Sequence, residues 1–126
     1  MNKWLLDTNV LIWFFDGSFR IDPARKLFSL PDTQVFISSV SWWEIAIKVR
    51  AGKLNTSIFL LKSMVQEYNF FELPLSSDCI TKYYELPHIH KDPFDHMLLA
   101  QAITYPLRFI TGDSILAEYS SLVTVI

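Results

Sequence analysis

The sequence carries a single cysteine, Cys79, in 126 residues. One thiol cannot build an internal disulfide framework and leaves no cysteine-rich zinc site to consider. It falls between Asp78 and Ile80 in a helical stretch, where a buried, inert thiol is the ordinary reading. Glycine is almost as scarce, with three, at positions 17, 52 and 112. No glycine-rich phosphate loop can be built from these, and no Gly-x-Ser-x-Gly elbow is present. No apolar run reaches the length of a membrane span. The opening Met1-Asn2-Lys3-Trp4 lacks the apolar stretch and cleavage site of a secretory leader. Charge is sparse, 19% of residues with a net of −2, so the surface as a whole is no magnet for nucleic acid. These absences point to a cytoplasmic protein with no membrane partner.

What the sequence has is apolar mass. Hydrophobic residues make up 51%, enough to build a core for one domain over residues 1–126. Large apolar groups recur together at Trp13-Phe14-Phe15, Trp42-Trp43, Phe59-Leu60-Leu61 and Phe70-Phe71. Core packing is the first reading of these groups. The excess also suits a homodimer or an obligate partner that covers it.

A short buried strand is predicted over Lys3–Leu6, then a helix over Thr8–Phe15 from the spacing of Val10, Trp13 and Phe14. Asp22 as N-cap with Pro23 behind it predicts a helix to Leu30. A strand at Gln34–Ile37 leads to a helix over Ser39–Ala51, capped by Ser38 or Ser39 and ended by Gly52. Helices follow over Ser57–Tyr68, over Ser76–Leu86, and from an Asp92 cap to Tyr105. Strands are read at Phe70–Leu73, Arg108–Ile110 and Leu122–Val125, with a helical turn at Ser114–Tyr119. This alternation predicts an α/β fold, a three-layer α/β/α sandwich around a mostly parallel sheet of about five strands. Such sheets bind ligands at the carboxyl ends of their strands, near a topological switch point.

Four acids stand where charge is costly to bury. Asp7 ends the run Trp4-Leu5-Leu6. Glu44 shares its helix face with Val40, Ile47 and Ala51, although a surface pair with Lys48 explains it as well. Asp95 shares a face with Leu98, Leu99 and Ala102, yet Asp92 as N-cap with Asp95 in the first turn also resembles a capping box. Asp113 follows Thr111-Gly112 and can cap the next turn, as Asp7 or Thr8 can cap the first helix. Capping alone does not require acids to gather at one sheet edge. If they meet, several carboxylates repel and take up protons unless a cation neutralises them. Oxygen-only ligands favour Mg²⁺ or Mn²⁺, and such an ion can activate water against a phosphodiester. Lys48, Arg50 and Lys53 form the densest basic cluster. They are candidate RNA-phosphate contacts, or else a solvated helix end. His88, His90 and His96 offer no second ligand cluster for zinc. A phospho-acceptor receiver would need a lysine after a late strand, and there is none.

The segments around these acids resemble the PIN domain family. Leu5-Leu6-Asp7-Thr8-Asn9-Val10-Leu11-Ile12-Trp13 is similar to its first motif, and Ser38-Ser39-Val40-Ser41-Trp42-Trp43-Glu44-Ile45 to its second. The run from His90 through Asp92, Pro93 and Asp95 to Ala102 is similar to the third, and Ile110-Thr111-Gly112-Asp113 to the fourth. The motifs fall in family order from Trp4 to about Val125, and a single domain of this length most resembles the VapC-type toxins. The resemblance implies a Mg²⁺- or Mn²⁺-dependent endoribonuclease that dimerises and is inhibited by a cognate antitoxin. It implies that Asp7, Glu44 and Asp95 are core metal-binding and catalytic acids and Asp113 a more variable fourth. It gives Asn9 and Thr111 supporting polar roles. Gly112 departs from a position that is often larger.

Overall fold

The computed structural model describes residues 2–88 and 92–126. Strand β1 (Asn2–Leu6) lies at the centre of a five-stranded sheet. Beside it on one side are β2 (Thr33–Ser38) and then β3 (Phe71–Leu73); on the other are β4 (Arg108–Thr111) and then β5 (Val123–Val125). Every pairing among these strands is parallel, with Leu5 opposite Phe36 on one side and Phe109 on the other.

Side chains of a strand alternate between the two faces of its sheet. Leu6 therefore joins one core, with Val10, Leu11, Ile21, Ile37 and Ile45. Leu5 joins a second, with Leu98, Leu99, Ala102, Phe109 and Leu116. Helices α1 (Thr8–Asp16), α2 (Asp22–Phe28) and α4 (Ile58–Glu67) pack on the first core. Helix α6 (Pro93–Thr104) packs on the second, with α5 (Ser77–Glu85) against it. Helix α3 (Ser39–Arg50) serves both, sending Ile45 into the first core and Val40 into the second. These are the three layers expected from the sequence. Among the described residues, no helix is long and apolar enough to cross a membrane.

The caps explain where the helices start. Ser38 accepts from the Val40 N–H at 3.0 Å, Ser57 from the Leu60 N–H at 3.3 Å, and Asp92 from the Phe94 N–H at 2.9 Å. Gly52 ends α3 in the left-handed region, at φ 72°. Helix α2 departs from expectation. Asp22 is not its N-cap; a 3₁₀ turn at Phe19–Ile21, capped by Ser18, runs straight into the helix. The backbone is already helical at Asp22, so its carboxylate instead faces Arg25 Nε at 3.6 Å.

Gly112 has a concrete reason to lack a side chain. A Cβ there would lie 2.5 Å from Cη2 of Trp13, closer than carbon atoms approach. The Trp13 ring occupies that space, with the Arg20 guanidinium 5.2 Å from its centroid.

Candidate functional site

Strand β1 ends with Leu6 in register with Ile110 of β4. Asp7 continues the ladder for one step, its N–H donating to the Ile110 carbonyl at 2.9 Å. The chain then turns into α1. With β2 and β3 on one side of β1 and β4 and β5 on the other, the gap between the carboxyl ends of β1 and β4 is the switch point of the sheet.

Asp7 is 3% exposed and stands at the N-cap position of α1, but makes no side-chain capping hydrogen bond of ordinary geometry there. Thr111, at the end of β4, donates from Oγ1 to Asp7 Oδ2 at 2.6 Å. The Asn9 N–H lies near enough to favour the charge of Asp7, while the Asn9 side chain is exposed. Burial still dominates and pushes the Asp7 carboxyl up from its ordinary value, with the charge of Glu44 adding to the effect.

Glu44 comes from the buried side of α3. Its side chain is 5% exposed, and Oε2 accepts from Lys48 Nζ at 2.8 Å. The spacing is that of a surface pair, but the burial is not. Asp95 comes from the first turn of α6 and is half-buried. Burial first, then the charges of Asp7, Asp92 and Glu44, push its carboxyl up to about 9, and a hydrogen bond to Asp7 favours its protonated form. Asp92 is the N-cap read from the sequence, and its charge also acts on Asp95 and Lys48.

Asp7, Glu44 and Asp95 thus act on one another across a shared crevice. Asp113 is tied to it through its backbone: its N–H donates to Thr111 Oγ1 at 3.0 Å. The Asp113 carboxylate accepts from the Ile115 N–H at 3.0 Å, capping the 3₁₀ turn Ser114–Glu118. Arg50 and Lys53 are exposed beyond the Glu44–Lys48 pair. His96 is buried with the Tyr83 and Tyr119 rings 5.0 and 5.7 Å from its own and the His88 ring at 6.0 Å, while His90 lies outside the described residues.

Two buried polar links support the crevice and were not singled out in the sequence. Thr8 Oγ1 donates to Ser41 Oγ at 2.9 Å, joining α1 to α3. Ser38 Oγ donates to Gln101 Oε1 at 2.5 Å, and Gln101 Nε2 donates to the Pro74 carbonyl at 3.4 Å. This second link fixes α6, and with it Asp95, to the end of β2. The available signal was Gln101 itself, a polar residue inside the apolar run Met97–Ala102.

Among the described residues, no three His, Cys, Asp or Glu side chains are gathered tightly enough to hold a metal ion as they stand. The donor chemistry nevertheless fits a hard divalent cation. Among the described residues, Asp7 Oδ1 and Glu44 Oε1 are buried with no hydrogen-bond partner, and burial, with the neighbouring carboxylates adding to it, raises the Asp7 and Asp95 carboxyls. A cavity of about 650 Å³ lies elsewhere, lined by the aromatic side chains of Phe14, Phe28, Tyr68 and Phe70 with Arg25 and Lys26.

A model of the PIN domain family matches residues 4–122. A comparison with curated proteins finds no match. Among solved structures, the chain is similar to VapBC2 from Rickettsia felis bound to a DNA fragment from their promoter, at 16% identity and a TM-score of 0.71, with 96% of each chain covered. It is similar to VapBC-1 from nontypeable Haemophilus influenzae at 18% identity and 0.70, covering 98% of this chain and 96% of that one. A toxin-antitoxin complex from Klebsiella pneumoniae matches at 22% identity and 0.68, covering 96% and 95%. At these identities the likeness is one of fold.

Proposed function

The chain belongs to the PIN domain family, and from that premise we propose that it is a Mg²⁺- or Mn²⁺-dependent endoribonuclease, the toxin of a type II toxin–antitoxin pair. The observation that carries this reading is the meeting of Asp7, Glu44 and Asp95 at the switch point of a parallel sheet, where burial first and then one another's charges raise the Asp7 and Asp95 carboxyls. The toxin-antitoxin complexes among its structural neighbours support a cognate antitoxin as partner. One domain over residues 1–126, a cytoplasmic location and a homodimer complete the proposal. Trp43, Phe59 and Leu60, which are 61%, 81% and 58% exposed, are among the exposed apolar side chains that a partner could cover, whereas Leu61 is core.

A Mg²⁺ or Mn²⁺ ion held by these acids would supply a water of lowered pKa for attack on the RNA phosphodiester. Asp7 and Glu44, each with one buried oxygen that lacks a hydrogen-bond partner among the described residues, would hold the ion together with the Asp95 carboxyl. Thr111 keeps Asp7 in one orientation through its 2.6 Å hydrogen bond. Gln101 and Ser38 keep α6, and so Asp95, in register with the sheet. Asp113 stands at the rim as a fourth acid. Arg50 and Lys53, with Lys48, supply positive charge to the RNA phosphates.

The purified chain is expected to cut RNA with Mg²⁺ or Mn²⁺ and to stop in EDTA. Asp7→Asn and Asp95→Asn each lower the rate by roughly a hundredfold or more, the scale of losing one essential group. Full cleavage by either variant would sink the reading. RNA binding without cleavage by the unaltered chain would favour a catalytically inactive PIN-like adaptor domain instead.

A further inference from the structure

Lys48 stands on the carboxylate that the proposed metal ion would use. Its Nζ lies 2.8 Å from Glu44 Oε2, and the Glu44 side chain is 5% exposed against 39% for Lys48. A buried carboxylate left without a counter-charge is costly, so the half-exposed ammonium is the charge that compensates Glu44 here. Glu44, first through the hydrogen bond and then through its charge, keeps the ammonium charged, with smaller contributions from Asp92 and Asp95. The second Glu44 oxygen, Oε1, is buried with no hydrogen-bond partner among the described residues. The lysine thus neutralises the glutamate without satisfying it. The partly exposed, four-carbon stem gives the ammonium a path to solvent, which a buried stem would not.

We propose that Lys48 is a displaceable counter-cation of the acid cluster: it neutralises Glu44 in the metal-free chain and is driven off by an arriving divalent cation. Two cations cannot share one buried carboxylate without repulsion, so metal affinity and the Lys48–Glu44 contact oppose each other. Lys48 then sets the metal concentration at which the site fills, and filling delivers an ammonium to the mouth of the crevice. This rests on the acids being a metal site.

The test compares the unaltered chain with Lys48→Met and Lys48→Arg. Calorimetry with Mn²⁺ alone should show Lys48→Met binding about fivefold or more tightly than the unaltered chain, and Lys48→Arg within about twofold of it. In the unaltered chain, acylation of Lys48 by a succinimidyl ester, read by mass spectrometry, should be slow without metal and speed up when Mn²⁺ is added. Lysine footprinting needs no variant, so it stands even if Lys48→Met fails to fold. Mn²⁺ binding with unchanged or weaker affinity in Lys48→Met, or an unchanged acylation rate, overturns the displacement alone. No Mn²⁺ binding by the unaltered chain or either variant overturns the metal-site reading beneath it.

Discussion

Asp95 keeps a proton that solvent would ordinarily take from it. Its carboxyl is raised from 3.8 to about 9, and Asp7 is raised as well. An acid with a raised folded-state pKa binds its proton more tightly in the folded chain than in the unfolded one. Its stabilising contribution is full below the ordinary value of 3.8 and is lost as pH rises towards 9. The metal-free chain should therefore show a falling urea midpoint between pH 5 and pH 9 in EDTA. Asp95→Asn should flatten that slope, and saturating Mg²⁺ should do the same. A midpoint independent of pH in the unaltered chain would count against a crowded acid cluster. Local pattern made these acids visible, because each interrupts an apolar stretch. It did not show which caps were real. Asp92 and Asp113 do cap, whereas the partner of Asp7 is Thr111, 104 residues away, and no spacing rule reaches that far. The Glu44–Lys48 spacing was legible too, but its burial comes from the packing of α3 against neighbours far away in sequence.

The elements around the crevice are adjusted to one another in pairs. Trp13 on α1 fills the place of a side chain at Gly112, between the end of β4 and Asp113. Gly112→Ala should therefore lower stability by about 1–3 kcal/mol, the usual range for overpacking. Trp13→Leu in the same chain should recover part of that loss in thermal melts. Equal losses in the single and double variants would mean that the ring and the glycine do not constrain each other. Most helices and strands were readable to within a residue or two, because serine or aspartate caps and glycine stops mark them. In helix α2 it was the cap that was misread, since a 3₁₀ turn supplies its start and leaves Asp22 with Arg25. The Thr8–Ser41 and Ser38–Gln101 links span 33 and 63 residues, so neither element announces them alone.

The whole molecule is a sheet between two cores, and adjacent residues feed different ones, Leu6 the first and Leu5 the second. Helix α3 inserts into both. If residues 1–126 form one folding unit, urea unfolding followed by tryptophan fluorescence, which reports mainly on the first core, and by far-ultraviolet circular dichroism should give one coincident transition. Two separated midpoints would show that the cores melt independently. The layer order was legible because strand and helix periods alternate cleanly. The strand order was not, since it depends on which strand lies beside β1.

That order governs when the crevice can exist. Asp7 is made among the first residues of the chain, but the strand that completes its surroundings, β4, begins at Arg108. A nascent chain ending before Arg108 already carries Asp7, Glu44 and Asp95, yet it has neither Thr111 nor the far wall of the gap. Such a long-range pairing forms late in folding. The acids can therefore gain their full surroundings only after synthesis has passed β4, so a fragment that stops before Arg108 carries the three acids without the geometry that holds them.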